Sequence, residues 1–362
     1  MNNALLAYCR PGYENDTANE LTALATDMQC FGYPEVQKDE GVVRFIFFAP
    51  GHAEDVVKSV AVSDTIFIRQ MFVVTGALDE VPREDRVGPI LKLLSQLHDN
   101  GDEYYGDVRV EYPDTESGKT VAKFCRKFVV PLRQALRGKG LLTAKEQVAR
   151  PALHILFTSF EHIVVGESYQ GTRSELPLGI CRLKFPPHAP SRSTLKLEEA
   201  IVTMMTAAER EQVFREGGRA VDLGACPGGW TYQLVHRGLF VEAIDNGSIA
   251  DSLMATGQVE HFAADGFSYR PQFGRVDLLV CDMIEQPDRV ARLMGDWLKQ
   301  HLATHAIFNL KLPMKKRYET VRSNLHDLTG RLRASGDTFT LRVRHLYHDR
   351  DEVTVTVIRQ EN

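Results

Sequence analysis

The chain lacks the features that would place it in a membrane, outside the cell or around a structural zinc. No uninterrupted apolar run approaches the roughly 18 residues needed to span a bilayer, and no basic N-terminal region leads into a short apolar stretch. Neither membrane insertion nor secretion is expected. The six cysteines (Cys9, Cys30, Cys125, Cys181, Cys226, Cys281) are scattered, with no CxxC pair and no histidines at zinc-finger spacing. A reduced, cytoplasmic protein without metal is the expectation. An excess of positive charge is also missing: 43 Lys+Arg stand against 48 Asp+Glu, a net charge of −5, so the whole molecule offers no general attraction to a polyanion. Internal repeats, low-complexity tracts and coiled-coil heptads are absent as well, so nothing demands an obligate protein partner and a monomer is expected.

What is present is enough for more than one core. The 362 residues, 43% of them hydrophobic, exceed the roughly 100 to 200 of a single domain. Residues 1–165 read as an α+β region. Strands are predicted at Leu5–Tyr8, Val42–Phe48, Ile66–Val74, Leu153–Phe157 and His162–Val165, and helices at Asn15–Met28, His52–Val60 and Arg86–Leu97. A basic segment near Val121–Leu136 is interrupted by Pro131. From Ser117 to Lys145 the charged residues are Lys119, Lys123, Arg126, Lys127, Arg133, Arg137, Lys139 and Lys145, all positive. Such a stretch can neutralise several phosphates, or it can be an ordinary solvated helix face. Gly166, Gly171, Gly179, Pro177, Pro186, Pro187 and Pro190 then punctuate a linker at 166–190.

Residues 191–362 change rhythm. A helix near Lys196–Ala208 precedes strands at Ala220–Leu223, Phe240–Ile244, Val276–Val280 and Ala306–Leu310, with helices at Arg289–Leu302 and Tyr318–Leu332 and two final strands. This alternation predicts a Rossmann-like α/β unit, a parallel sheet covered on both faces that binds ligands at the carboxyl ends of its strands. The most informative segment is Val221-Asp222-Leu223-Gly224-Ala225-Cys226-Pro227-Gly228-Gly229-Trp230-Thr231. A strand ends in an acid, and a glycine turn feeds a helix whose first amides are free to donate. Asp245, at the end of the next strand, can accept hydrogen bonds from both ribose hydroxyls of an adenosine, and Asp265, in Asp265-Gly266-Phe267, can meet an adenine amino group. Turn or capping chemistry is the bland alternative for both. A nicotinamide dinucleotide fits less well, because alanine and cysteine stand where GxGxxG needs its second glycine.

The segment DLGACPGGWTYQL resembles the first motif of S-adenosylmethionine-dependent class I methyltransferases, closely so the FtsJ-type ribose 2′-O-methyltransferases. With PSRSTLKLEEA before it and FNLKLPMKKRYE and LYHDRDEVTV after it, the whole chain is similar to the large-subunit ribosomal RNA methyltransferase M family. The resemblance implies S-adenosylmethionine as cofactor, a cytidine ribose of 23S ribosomal RNA as substrate, and a THUMP-containing RNA-binding region in the N-terminal half. Cofactor contacts are expected at Ser193, Asp222, Gly224, Cys226, Pro227, Gly228, Gly229, Asp245, Asp265 and Asp282, and the resemblance is in keeping with them. It also carries a Lys-Asp-Lys-Glu tetrad onto Lys196, Asp282, Lys311 and Glu352, with Asp349 and Asp351 close enough to take the place of Glu352.

Methyl transfer from a sulfonium needs in-line approach of the acceptor, and a ribose hydroxyl needs help in losing its proton. Lys311 is the expected acceptor, made more acidic by partial burial and by Lys196, although two nearby carboxylates act the other way. Asp282 would orient Lys311 and touch the cofactor, and Glu352 would position Lys196 or the ribose. Ser193 can equally be an N-cap. Asp282-Met283-Ile284 lacks the Pro-Pro-aromatic run expected of an amino-group methyltransferase. Cytosine C5 chemistry through Cys281 or Cys226 stays open, as does a non-catalytic assembly factor that keeps the fold. Pro313-Met314-Lys315-Lys316-Arg317-Tyr318 reads as phosphate contact with stacking, or as a solvated helix start.

Overall fold

The computed structural model of the protein describes residues 3–98, 101 and 103–360. The chain divides between Ile180 and Cys181 into two compact units, each built on a seven-stranded sheet. Among the described residues no helix is long and apolar enough to cross a membrane.

The N-terminal unit begins β1 (Ala4–Tyr8), α1 (Glu14–Asp27), β2 (Gly32–Val36), β3 (Val42–Phe47), α2 (His52–Ser59) and β4 (Gln70–Leu78). It continues with α3 (Val87–Leu94), β5 (Asp107–Glu111), α4 (Glu116–Gly138), β6 (Ala152–Phe157) and β7 (Ile163–Ser168). The strand order is β2-β3-β1-β4-β7-β6-β5, antiparallel except for the parallel β5–β6 pair. Two separate apolar cores result: Leu21, Val56 and Val57 of α1 and α2 pack on Leu5, Val43 and Phe45, and Ile90, Val121 and Leu132 of α3 and α4 pack on Leu153 and Ile155.

Helix α4 shows how the sequence makes its element. Thr115 caps it, accepting from Gly118 N at 2.9 Å. Val121, Cys125, Phe128, Leu132 and Leu136 recur every three or four residues and are buried. Pro131 does not interrupt it as expected, because its ring sits on the exposed face, where solvent can satisfy the carbonyl left without its N–H partner. Other corrections concern local context. Strand β4 begins at Gln70 rather than Ile66, and β7 runs through Gly166 to Ser168, so the strand occupies the first residues of the predicted linker. Gly166 is a strand residue there because any Cβ would lie 2.2 Å from the Phe72 ring and 2.3 Å from Val73 O. Strands β2, which carries Pro34 at its third position, and β5 were not anticipated.

The C-terminal unit runs α5 (Thr194–Met204), α6 (Ala207–Val213), β8 (Arg219–Leu223), α7 (Gly229–Val235), β9 (Phe240–Ile244), α8 (Asp251–Met254) and β10 (Val259–Phe262). Then come β11 (Val276–Cys281), α9 (Pro287–Lys299), β12 (Ala303–Lys311), α10 (Arg317–Arg333), β13 (Phe339–Arg344) and β14 (Glu352–Arg359). The order is β10-β9-β8-β11-β12-β14-β13. The five strands from β10 to β12 are parallel, whereas β14 runs antiparallel to β12 and pairs antiparallel with β13. The expected all-parallel sheet is therefore mixed, because β13 and β14 follow each other through a short loop that reverses the chain. The single helix expected from Lys196 to Ala208 is two, since Thr206 starts α6 with a capping box: its hydroxyl takes Glu209 N at 3.2 Å and Glu209 takes Thr206 N at 2.8 Å. The chain leaves β8 to one side for β9 and β10 and returns to its other side for β11. That reversal opens a crevice at the carboxyl ends of β8 and β11.

Candidate active site

At the end of β8 the turn is shaped by packing as much as by openness. Gly224 has φ +78°, and a Cβ there would lie 2.7 Å from Met283 Cγ, so both the backbone angle and the contact require glycine. Gly224 N and Ala225 N donate to Ile244 O at 2.9 and 3.2 Å, which ties the turn to the end of β9. Gly229 has no room for a side chain because Ser193 Oγ would be 2.1 Å from its Cβ, and Gly228, at φ +112°, faces Leu253. Their smallness thus serves packing against the neighbouring segments.

A cleft of about 550 Å³ opens beside this turn and is lined by Gly224, Cys226, Asp245, Asp265 and Asp282. Ser193, Asp222, Pro227, Gly228 and Gly229 do not line it. Asp222 lies completely buried, with Thr231 Oγ1 donating to its Oδ2 at 2.7 Å. Burial first, then the charges of Asp282 and Asp245, push its carboxyl up to about 7 against the opposing hydrogen bond from Thr231. The Ser193 hydroxyl makes no cap to α5 and donates to Ser191 Oγ at 3.1 Å. Asp245 accepts from Cys226 N at 3.0 Å and Gly247 N at 2.8 Å, which fixes its carboxylate at the rim. Asp265 lies three residues beyond β10, in a turn where its Oδ1 takes Phe267 N at 3.1 Å. Phe267, Met283 and the exposed Ile284 also line the cleft and were given no role from sequence; Arg289 stacks over the Phe267 ring at 4.4 Å. An apolar wall facing a row of acids suits a ligand with a flat ring, sugar hydroxyls and a positive centre.

The four tetrad residues come together from four elements. Strand register places Lys311 of β12 directly opposite Glu352 of β14, and Asp282 follows the end of β11, the other neighbour of β12. Lys196 reaches in from the first turn of α5. Lys311 Nζ donates to Asp282 Oδ1 at 3.0 Å and Glu352 Oε2 at 2.8 Å, while Lys196 Nζ donates to Asp282 Oδ2 at 3.0 Å and reaches Glu352 Oε1 at 2.7 Å. The result is a closed square of alternating charge with no net charge. Asp349 and Asp351 do not enter it: Asp349 is buried against Leu346 N and Thr354, and Asp351 O accepts from Leu312 N.

The charge state of Lys311, which the sequence leaves open, leans toward the ammonium. Burial lowers its affinity for a proton, but Asp282 and Glu352 outweigh burial and hold the ammonium above its ordinary range. Glu352 is buried too, yet Lys196 and Lys311 pull its carboxyl down to about 2. Cys281 is fully buried and its thiol is pushed up to about 12, first by burial and then by the nearby carboxylates, so it offers no nucleophile to a base in the cleft. Lys315 and Lys316 are exposed a few residues beyond Lys311. One residue that the sequence reading missed is Asn309, wholly buried, whose Nδ2 donates to Asp282 Oδ1 at 2.9 Å. Its place two residues before Lys311 on one strand, hence on the same face, was the available signal.

Residues 189–328 match the family model described as FtsJ-like methyltransferase. Residues 1–72 match the RlmM ferredoxin-like domain, and residues 85–169 match the model "Ribosomal RNA large subunit methyltransferase M, N-terminal". Relatives called Ribosomal RNA large subunit methyltransferase M include that of Alteromonas mediterranea, 62% identical over 98% of this chain and 97% of its own. That of Vibrio parahaemolyticus is 49% identical over 97% of this chain and 98% of its own. Among solved structures, TrmN from Thermus thermophilus covers 99% of both chains at 17% identity and a TM-score of 0.35, too loose a likeness to bear on function.

Proposed function

The chain belongs to the ribosomal RNA large subunit methyltransferase M family, and from that premise we propose that it methylates the ribose 2′-hydroxyl of a cytidine in 23S ribosomal RNA, in the cytoplasm, with S-adenosylmethionine as methyl donor. The observation that carries this reading is the Lys196-Asp282-Lys311-Glu352 square beside an acid-lined cleft. The residues present fit the donor. Asp245 can accept from ribose hydroxyls, Asp265 from an adenine amino group, Phe267 and Ile284 offer apolar surface, and Asp282 would hold the positive sulfonium end. Bound there, the donor supplies an electrophilic methyl group.

The chain's own residues align the acceptor and handle its proton. A ribose hydroxyl entering beside Lys311 Nζ would lose its proton to that amine as its oxygen takes the methyl carbon, the carbon–sulfur bond breaking with its electron pair left on sulfur. The amine must first be neutral, whereas Asp282 and Glu352 hold it charged. Asp282 would be shared with a cationic donor held in the cleft, and Lys311, its hold on the proton weakened by that sharing, would then be free to act as the base. Lys196 keeps Glu352 and Asp282 in place throughout and opposes charging of its neighbour. The exposed Lys315 and Lys316 and the solvent face of α4 supply phosphate contacts, the latter within an N-terminal region read as a THUMP-type RNA binder.

Lys311→Ala is expected to abolish ribose methylation of ribosomal RNA, mapped in cells and with purified protein, and to leave S-adenosylmethionine affinity by calorimetry within about threefold. Full methylation by that variant, or methylation on a base, would remove the proposed reaction.

A further inference from the structure

Next to Asp282 and outside the cleft lining lies a row of buried polar side chains that the reaction above does not use. Asn309, Thr354 and Asp349 are 0%, 0% and 1% exposed. Asn309 and Thr354 are cross-strand partners on β12 and β14, and Asp349 sits in the loop before β14. Their hydrogen atoms can be assigned by counting. The Asp282 carboxylate only accepts, so Asn309 presents its amide Nδ2 to it at 2.9 Å and turns Oδ1 toward Thr354. Thr354 has a single hydroxyl hydrogen, and its shortest contact, 2.8 Å, donates it to Asn309 Oδ1. The remaining contacts from Thr354 Oγ1 to the Asp349 oxygens, at 3.2 and 3.1 Å, then need a hydrogen from the Asp349 side. Leu346 N already fills Oδ2 at 3.0 Å, which leaves the proton on Oδ1.

We infer that Asp349, as a proton-bearing carboxyl, anchors a one-way hydrogen-bond chain through Thr354 and Asn309 that fixes the orientation of Asp282 under both lysines. This rests on the ribose-methylation reading above and adds three positioning residues to it. The surroundings agree with the hydrogen count. Burial, then Glu352 and Glu199, push Asp349 well above the usual carboxylate range, against the Leu346 N–H and the more remote Lys196. Glu199, for its part, is occupied by Tyr347 N, His348 N and His348 Nδ1 at 2.9, 2.8 and 2.7 Å. The arrangement has a physical purpose. Asp282 divides two oxygens between two ammonium groups, and a carboxylate free to rotate would release one of them. An ionised Asp349 would add a third negative charge near the square and upset the balance of two against two.

Three measurements test this in the intact protein. Infrared difference spectra between wild type and Asp349→Asn at neutral pH should show the C=O band of a protonated carboxyl that the variant loses. Asn keeps both a donor for Thr354 and an acceptor for Leu346 N, so Asp349→Asn is expected to keep kcat within about threefold. Asp349→Ala and Thr354→Val break the chain and are expected to lower kcat roughly 10- to 100-fold, with KM for S-adenosylmethionine within about threefold. A missing infrared band, Asp349→Asn as impaired as Asp349→Ala, or wild-type kcat in Thr354→Val would each overturn the inference. The spectroscopic arm does not depend on the reaction: a band present in a protein that methylates no ribose would sink the proposed function and leave the hydrogen-bond chain standing.

Discussion

Two acids of the C-terminal unit are shifted in opposite directions, and their pH windows meet at about pH 4. Asp222 is wholly buried and shifted up to about 7, from roughly 3.9 in an unfolded chain. A group raised in the folded state contributes stability that is fully present below the unfolded value and is lost as pH rises through the folded one. Glu352, down at about 2 against roughly 4.3 unfolded, contributes above that unfolded value and loses its contribution only as pH falls toward 2. Asp222→Asn, whose amide oxygen can still accept from Thr231, should therefore gain stability over wild type as pH rises from about 4 to 7, by on the order of 4 kcal/mol at the top of that range. Denaturant unfolding at a series of pH values checks this; a constant gap between the two proteins would mean that the Asp222 carboxyl is not raised in the folded state. The same residue shows what sequence could reveal. Its position at a strand end was legible, but whether such a side chain faces a ligand or a neighbouring helix depends on Thr231, which reaches it across a turn. Ser193, Gly228 and Gly229 lie outside the cleft lining for a similar reason: glycines in a motif say that space is short, and the sequence does not say what takes up that space.

Elements were legible where their pattern is local. The recurrence of Val121, Cys125, Phe128, Leu132 and Leu136 predicts one buried stripe, and the helix around them puts Lys123, Arg126 and Lys127 in solvent with no carboxylate partner among the described residues. Lys119 and Arg133 are less available, being paired with Glu116 at 2.5 Å and Asp107 at 3.0 Å. Replacing Lys123, Arg126 and Lys127 together by glutamine should weaken ribosomal RNA binding and reduce its salt dependence by roughly one unit of slope for each phosphate that is no longer neutralised. An unchanged slope in filter binding across salt concentrations would clear this face of a role in RNA binding. Strand direction was harder to read. Apolar runs at Phe339–Arg344 and Glu352–Arg359 give no hint that both pair antiparallel, yet only that register sets Glu352 opposite Lys311 and Thr354 opposite Asn309. Likewise β2, with Pro34 in it, lacks the composition of a strand and is held as one by pairing with β3.

At the scale of the whole molecule the question is whether the two units fold and act by themselves. Each holds its own apolar core: Leu197, Ile201, Leu234, Val241, Leu278 and Ile307 in the C-terminal unit, and the two clusters beneath α1–α2 and α3–α4 in the N-terminal one. The square and the cleft draw every residue from beyond the division at Cys181. A fragment starting at Cys181 has a sheet, a core and the complete acid-lined cleft, and domains of about 180 residues bury enough surface to be stable alone. It should unfold cooperatively and bind S-adenosylmethionine within a few fold of the full chain, because the cleft keeps all its lining residues. Methylation of ribosomal RNA should fall at least 10-fold, through KM for RNA, because the fragment forfeits the basic face of α4 proposed to contact phosphates while keeping the four residues of the square. Calorimetry with the cofactor and initial rates against RNA concentration separate the two effects. A fragment that binds cofactor and methylates RNA with an unaltered KM would show that recognition resides in the catalytic unit, and one that fails to fold would show that its stability is borrowed from residues before Cys181.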